Sequence, residues 1–142
     1  MPENLHQVRL YGAKTGDFQT VQAWADARGM IFDETVAGPE GFICEHYDEH
    51  GEADPLAVAW LYPTAGIGIA WIDHLITRPG LSPAQATEAI SHILNACKMR
   101  ARDYDCGLVI AHTSPILAER AEKLGWQVQN TNLVRIACRT EK

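Results

Sequence analysis

Residues 57–106 read AVAWLYPTAGIGIAWIDHLITRPGLSPAQATEAISHILNACKMRARDYDC, and this stretch decides the fold. Leu56 to Tyr62 is apolar, β-branched and aromatic, which predicts a strand. Pro63-Thr64-Ala65-Gly66 turns the chain, and Ile67 to Thr77 predicts a second, longer strand. At Ser82-Pro83 the period changes, because a capping hydroxyl followed by proline at the first helical position starts a helix. Ala86, Ala89, Ile90, Ile93, Leu94, Cys97 and Ala101 then mark one apolar face. Lys98, Arg100 and Arg102 gather at its C-terminal turns, where cations complement the helix dipole.

Working outward, Phe42 to Tyr47 predicts a strand, and the polar segment DEHGEADP separates it from Leu56. Three strands joined by short turns imply an antiparallel meander. Upstream, residues 3–11 predict an opening strand. Phe18, Val21, Trp24, Ala25 and Arg28 then recur at helical spacing; Thr15 or Asp17 is positioned to cap that helix, and Gly29 to stop it. Downstream, Gly107 precedes a short strand, Leu108 to His112. Ser114-Pro115 repeats the helix-start device, and that helix stops at Gly125. Trp126 to Gln129 and Leu133 to Arg139, around Asn130-Thr131-Asn132, predict a closing hairpin. The order β-α-β-β-β-α-β-α-β-β requires one crossover, hence a mixed α/β (α+β) sheet with helices on its faces.

The chain has 142 residues, 46% hydrophobic and 21% charged, which suits one globular domain spanning 1–142. No segment approaches the ~20 apolar residues of a membrane span, and MPENLHQVRL lacks the pattern of a signal peptide. A cytoplasmic protein without membrane partners is expected. The formal net charge of −6 argues against nucleic acid as a partner. Cys44, Cys97, Cys106 and Cys138 are far apart, the pattern of buried, reduced thiols rather than disulfides or a zinc site. His46 and His50 share i,i+4 spacing but flank a turn, so no metal site is expected.

The element order resembles the GNAT acyltransferases, many of which carry a second helix before the meander. The quoted stretch resembles their central strands and cofactor helix. Glu122-Lys123-Leu124-Gly125-Trp126 is similar to the Lys-x-Gly-aromatic ending of their final helix. There is also similarity to the small, divergent GNAT-like proteins of bacteriophage genomes. The resemblance implies a mostly antiparallel, twisted sheet of six or seven strands and acetyl-CoA as co-substrate. Departures accompany it. The family's cofactor loop reads Arg/Gln-x-x-Gly-x-Gly/Ala, whereas here Leu81-Ser82-Pro83-Ala84-Gln85-Ala86 stands in its place. The tyrosine that often serves as general acid falls at Ala121, and the asparagine common after the fifth strand falls at Ser114.

Helix N-termini bind anions through unpaired N–H groups, and small residues let a diphosphate approach the backbone. Ser82, Ala84, Gln85 and Ala86 are the candidates at this helix start, and Arg78 stands just upstream, although Ser82-Pro83 also serves simply as a cap. By resemblance, Leu75, Ile76 and Thr77 would pair with the pantetheine arm. Acyl transfer to an amine needs a proton acceptor and oxyanion donors. Asp73 and His74 are candidates that strand alternation places on opposite faces; His112 and Ser114 are candidates beyond the fifth strand. Glu45 and His46 are placed to border the acceptor, and Trp60 or Trp71 to floor its pocket. Two functions are consistent with these residues: N-acetyl transfer by direct attack in a ternary complex, or a GNAT-shaped binding or interaction module without turnover. A homodimer through the C-terminal strand edge is a further expectation.

Overall fold

The computed structural model describes residues 5–33, 38–134, 136 and 138. Its elements are β1 (Leu5–Leu10), α1 (Asp17–Ala27), β2 (Gly41–Tyr47), β3 (Ala53–Pro63), β4 (Ile69–Thr77), α2 (Pro83–Asp103), β5 (Leu108–Ala111) and α3 (Pro115–Lys123). Through α3 this is the expected order. The sheet runs β1-β2-β3-β4-β5. β1 to β4 pair antiparallel, and β5 lies parallel to β4 across the α2 crossover.

The sheet has five strands among the described residues, not six or seven. Trp126–Gln129 and Leu133–Val134 adopt no strand; Arg135, Ala137 and Arg139 lie outside the described residues. Val128, Leu133, Val134 and Ile136 are exposed. A two-stranded hairpin with no face to bury is marginal in water, whatever its β propensity.

Apolar faces divide the interior in two. On one side of the sheet, Ala89, Ile90, Ile93, Leu94 and Cys97 of α2 pack on Cys44, Leu56, Ala57, Leu61, Ile72 and Leu75, with Leu117 and Ala121 of α3 at the margin. On the other, Val21, Trp24 and Ala25 of α1 join Phe32, Ile43, Val58, Trp60 and Ile76. Helices therefore cover both faces, as expected.

Helix starts follow the sequence in two cases and depart from it in one. Ser82 accepts the Gln85 N–H while the Gln85 side chain accepts the Ser82 N–H, a complete capping box. Ser114 accepts the Leu117 N–H. At α1, however, the cap is Gly16 at φ 95°, with no side-chain bond. Asp17 is instead turned to Arg9, whose guanidinium holds it at 2.7 and 2.8 Å, so neither Thr15 nor Asp17 caps that helix.

One irregularity shapes the functional region. Asp73 pairs with Trp60 and Ile76 with Val58, so His74 and Leu75 together oppose Ala59. This β-bulge holds His74 at φ 52°, and the Asp73 carboxylate accepts the His74 N–H at 2.8 Å. The extra residue cancels the alternation expected of a regular strand. Asp73 lies opposite Trp60, and the His74 ring meets the edges of Phe32 and Trp60, so both belong to the α1 side. Leu75 passes to the α2 side and Ile76 returns to the α1 side.

Candidate functional site

Parallel pairing of β4 with β5 extends from Ile69–Leu108 to Ile72–Ala111. β4 then continues to Thr77 while β5 has ended, so the two separate beyond Ile72. A fork results, with peptide groups of β4 facing it. Ser82, five residues beyond Thr77, caps α2, so the helix N-terminus lies at the open end of the same strand.

Several expected residues converge on the fork. Trp71 is half-buried, pairs with Ile110 of β5, and its ring lies 5.3 Å from that of exposed His112. Asp73, two residues along β4 from Trp71, shares its α1-side face. The α1-side surface at this end of β4 thus carries an indole and a carboxylate, with the His112 imidazole against the indole. His74 flanks them on the bulge.

Other candidates are engaged elsewhere. The Ser114 hydroxyl caps α3. Arg78 pairs with the Asp54 carboxylate and the Pro55 carbonyl, so its charge is neutralised locally. Thr77 is buried, and Arg28 at the end of α1 donates to its carbonyl at 2.9 Å and its hydroxyl at 2.8 Å. Arg28 entered the sequence reading only as a position of the α1 helical pattern; helical periodicity carries no trace of a contact 49 residues away.

At the start of α2, Pro83 has no donor, Gln85 N–H is taken by the Ser82 hydroxyl and Ala86 N–H by the Ser82 carbonyl. Ala84 provides the first-turn donor not committed to the cap. The helix end is thus partly closed by its own side chains. An anion would have to displace the exposed Gln85 side chain to reach the Ser82 N–H.

Three residues leave the acceptor region. Trp60 is fully buried and cannot floor a pocket. Glu45 is buried under Arg9 and Lys14, at 2.7 and 3.1 Å, in an ion-pair cluster at the β1–β2 end of the sheet. There, burial alone would raise the Asp17 carboxyl, but hydrogen bonds from Arg9 and the Gly12 N–H hold it below its usual range. His46 points to the α2 side, away from the fork, while His50 is exposed in the following turn beside Glu49.

No protein-family model matches the chain, and no curated protein sequence matches it. Solved structures do. A probable acetyltransferase superposes with a TM-score of 0.62 at 12% identity, covering 96% of this chain and 99% of its own. A transcriptional regulator from Bacillus halodurans C-125 gives 0.61 at 16%, covering 94% and 100%. N-acetylglutamate synthase from Neisseria gonorrhoeae, complexed with coenzyme A and N-acetyl-glutamate, gives 0.58 at 19%, covering 86% of this chain and 28% of that one. The architecture is therefore a GNAT-type fold. No helix among the described residues is long and apolar enough to cross a membrane.

Proposed function

We propose that this protein is an acyl-CoA-dependent N-acyltransferase that moves an acetyl group to an amine. The observation that carries this reading is the β4–β5 fork, bulged at His74, which opens beside the N-terminus of α2. Acetyl-CoA would lie with its arm along β4 near Leu75, Ile76 and Thr77. Its diphosphate would meet the first turn at Ser82, Ala84, Gln85 and Ala86, with Arg78 nearby. The acceptor nitrogen attacks the thioester carbonyl carbon and the carbon–sulfur bond breaks. The amine proton passes to Asp73 or His112, directly or through water, and a proton is returned to the departing thiolate. A peptide N–H of β4 facing the fork steadies the oxyanion. Cytoplasmic residence suits the free cysteines; burial pushes the Cys44 and Cys97 thiols up to about 12, which keeps both unreactive.

Calorimetric titration with acetyl-CoA, followed by thiol-release assays over a panel of amines, tests the reading. Binding and turnover are expected, with Asp73→Asn lowering kcat by about a hundredfold while acetyl-CoA affinity is retained. Failure of every CoA ester to bind would remove the proposal. The capping box favours a second reading, a GNAT-shaped module that binds a CoA ester or a partner without turnover. Binding with no thiol release from any amine would select it.

A further inference from the structure

On the α2 side of the sheet, strand register assembles a row of polar side chains. His6 of β1 pairs with His46 of β2, and His46 pairs with Asp54 of β3. The row faces α2 because His6 and His46 lie two residues from Val8 and Cys44 and so share their face, which packs on that helix. From above, α2 presents Glu88 and His92, four residues apart and therefore on one face. The His6 ring stacks on His92 with centroids 4.9 Å apart and planes 12° from parallel, and tilts against His46 at 5.2 Å. His6 Nδ1 lies 3.5 Å from Glu88 Oε1. A cleft of about 130 Å³ runs beside them, lined by His6, His46, Asp54, Leu56, Gln85 and Glu88.

We propose that His6, Glu88 and His92, with His46 as a fourth donor, bind a divalent transition-metal ion of the zinc class. The donor atoms of His6, Glu88 and His92 already lie within 4.8 Å of one another, and His46 stands beside them with its ring 5.2 Å from that of His6. Donors around a tetrahedral ion bonded at about 2.0–2.1 Å stand roughly 3.3 Å apart. Closure falls to Glu88, whose side chain is 57% exposed, and to His92, whose ring turns out of its near-parallel stack on His6 so that both in-plane lone pairs meet one ion, whereas the side chain of His6 is 8% exposed and positioned by packing. Packing three imidazoles together is costly if they carry protons and favourable if their lone pairs share a cation. A nitrogen-rich set with a single carboxylate selects zinc, cobalt, nickel or copper over magnesium or calcium. The bound ion would tie the first half of α2 to β1 and β2, strands otherwise joined to it by apolar contact. Sequence spacing cannot show this set, since its four residues come from three elements.

Titration of the untagged full chain with Zn²⁺, Co²⁺ and Mg²⁺ tests the site, in a Cys138→Ser background that removes the exposed thiol. One equivalent of Zn²⁺ or Co²⁺ should bind with micromolar or tighter affinity and raise Tm, with no such effect of Mg²⁺. His92→Gln and Glu88→Gln should each weaken binding by at least about tenfold, while His50→Gln leaves it unchanged. Should the variants fold poorly, the unmutated histidines serve. Paramagnetic Co²⁺ should perturb the ring resonances of His6, His46 and His92 before those of His50 and His112. Zinc affinity that survives His92→Gln, or first perturbation at His50 or His112, would overturn the proposal. So would the absence of stoichiometric binding.

Discussion

Gly41 opens β2 where no side chain fits. A Cβ there would stand 2.4 Å from Trp60 Nε1 and 2.9 Å from Tyr11 Cβ. Neither neighbour can retreat easily, because Trp60 is fully buried between Tyr11 and Phe32. Its indole N–H has no hydrogen-bond partner among the described residues, so packing alone holds it. Gly41→Ala should therefore destabilise the protein by about 3 kcal/mol, read as a lower denaturant midpoint at unchanged slope. Sequence shows such residues unevenly. Gly29 and Gly125, at φ 65° and 95°, stop α1 and α3 where they were expected to. Asp105 does the same for α2 at φ 59°, with the Cys106 N–H reaching back to the Ala101 carbonyl at 2.9 Å. Aspartate tolerates that conformation without announcing it, so the sequence shows no stop for this helix. His74 was legible as an ionisable residue in a central strand but not as a left-handed one, since nothing in its type demands the bulge.

At the scale of elements, the α2 cap engages the donors that the proposed diphosphate would need. Ser82→Ala removes one half of the capping box and should cost about 1 kcal/mol, or a fall in Tm of about 3 °C for a chain of this size. The same change frees the Gln85 N–H for an anion. If a diphosphate sits there, Ser82→Ala should lose acetyl-CoA affinity less than it loses stability; calorimetry and thermal melting on the one variant separate the two. The strands were legible because their apolar runs are bounded by Gly, Pro and polar turns. Their faces were legible only where pairing is regular. One inserted residue in β4 turned Asp73 and His74 from alternatives into neighbours on one side. The C-terminal hairpin failed for a different reason: Trp126–Gln129 has the composition of a strand, but composition does not show whether a neighbouring edge will receive it.

For the whole molecule, acid should act in two stages. Burial lowers the His6 pKa from 6.5, so the unfolded chain binds the extra proton. Stability is then complete above about pH 6.5 and declines as pH falls from there toward the folded-state value. Asp17, and Glu40, whose carboxylate accepts two 2.9 Å hydrogen bonds from the Arg100 guanidinium, are lowered from 3.8 and 4.5, so their contribution is present above those values and lost at lower pH. Urea melts from pH 8 to 3 should show both stages, and His6→Gln should erase the first. A second whole-molecule effect concerns approach rather than stability. The chain carries a formal net charge of −6, and Arg78, the cation expected to greet a phosphate, is paired with Asp54. A CoA ester is itself a polyanion, so the average field opposes its arrival. Raising ionic strength from about 10 to 150 mM shortens the screening length from about 30 to 8 Å. Association of acetyl-CoA should therefore quicken with salt, opposite to the behaviour of a basic phosphate site. Stopped-flow binding at two salt concentrations measures the sign. Asp54→Asn, which releases Arg78, should raise the low-salt rate and flatten the dependence; a rate that falls with salt in the unmodified protein would mean that local cations, not the net charge, govern entry.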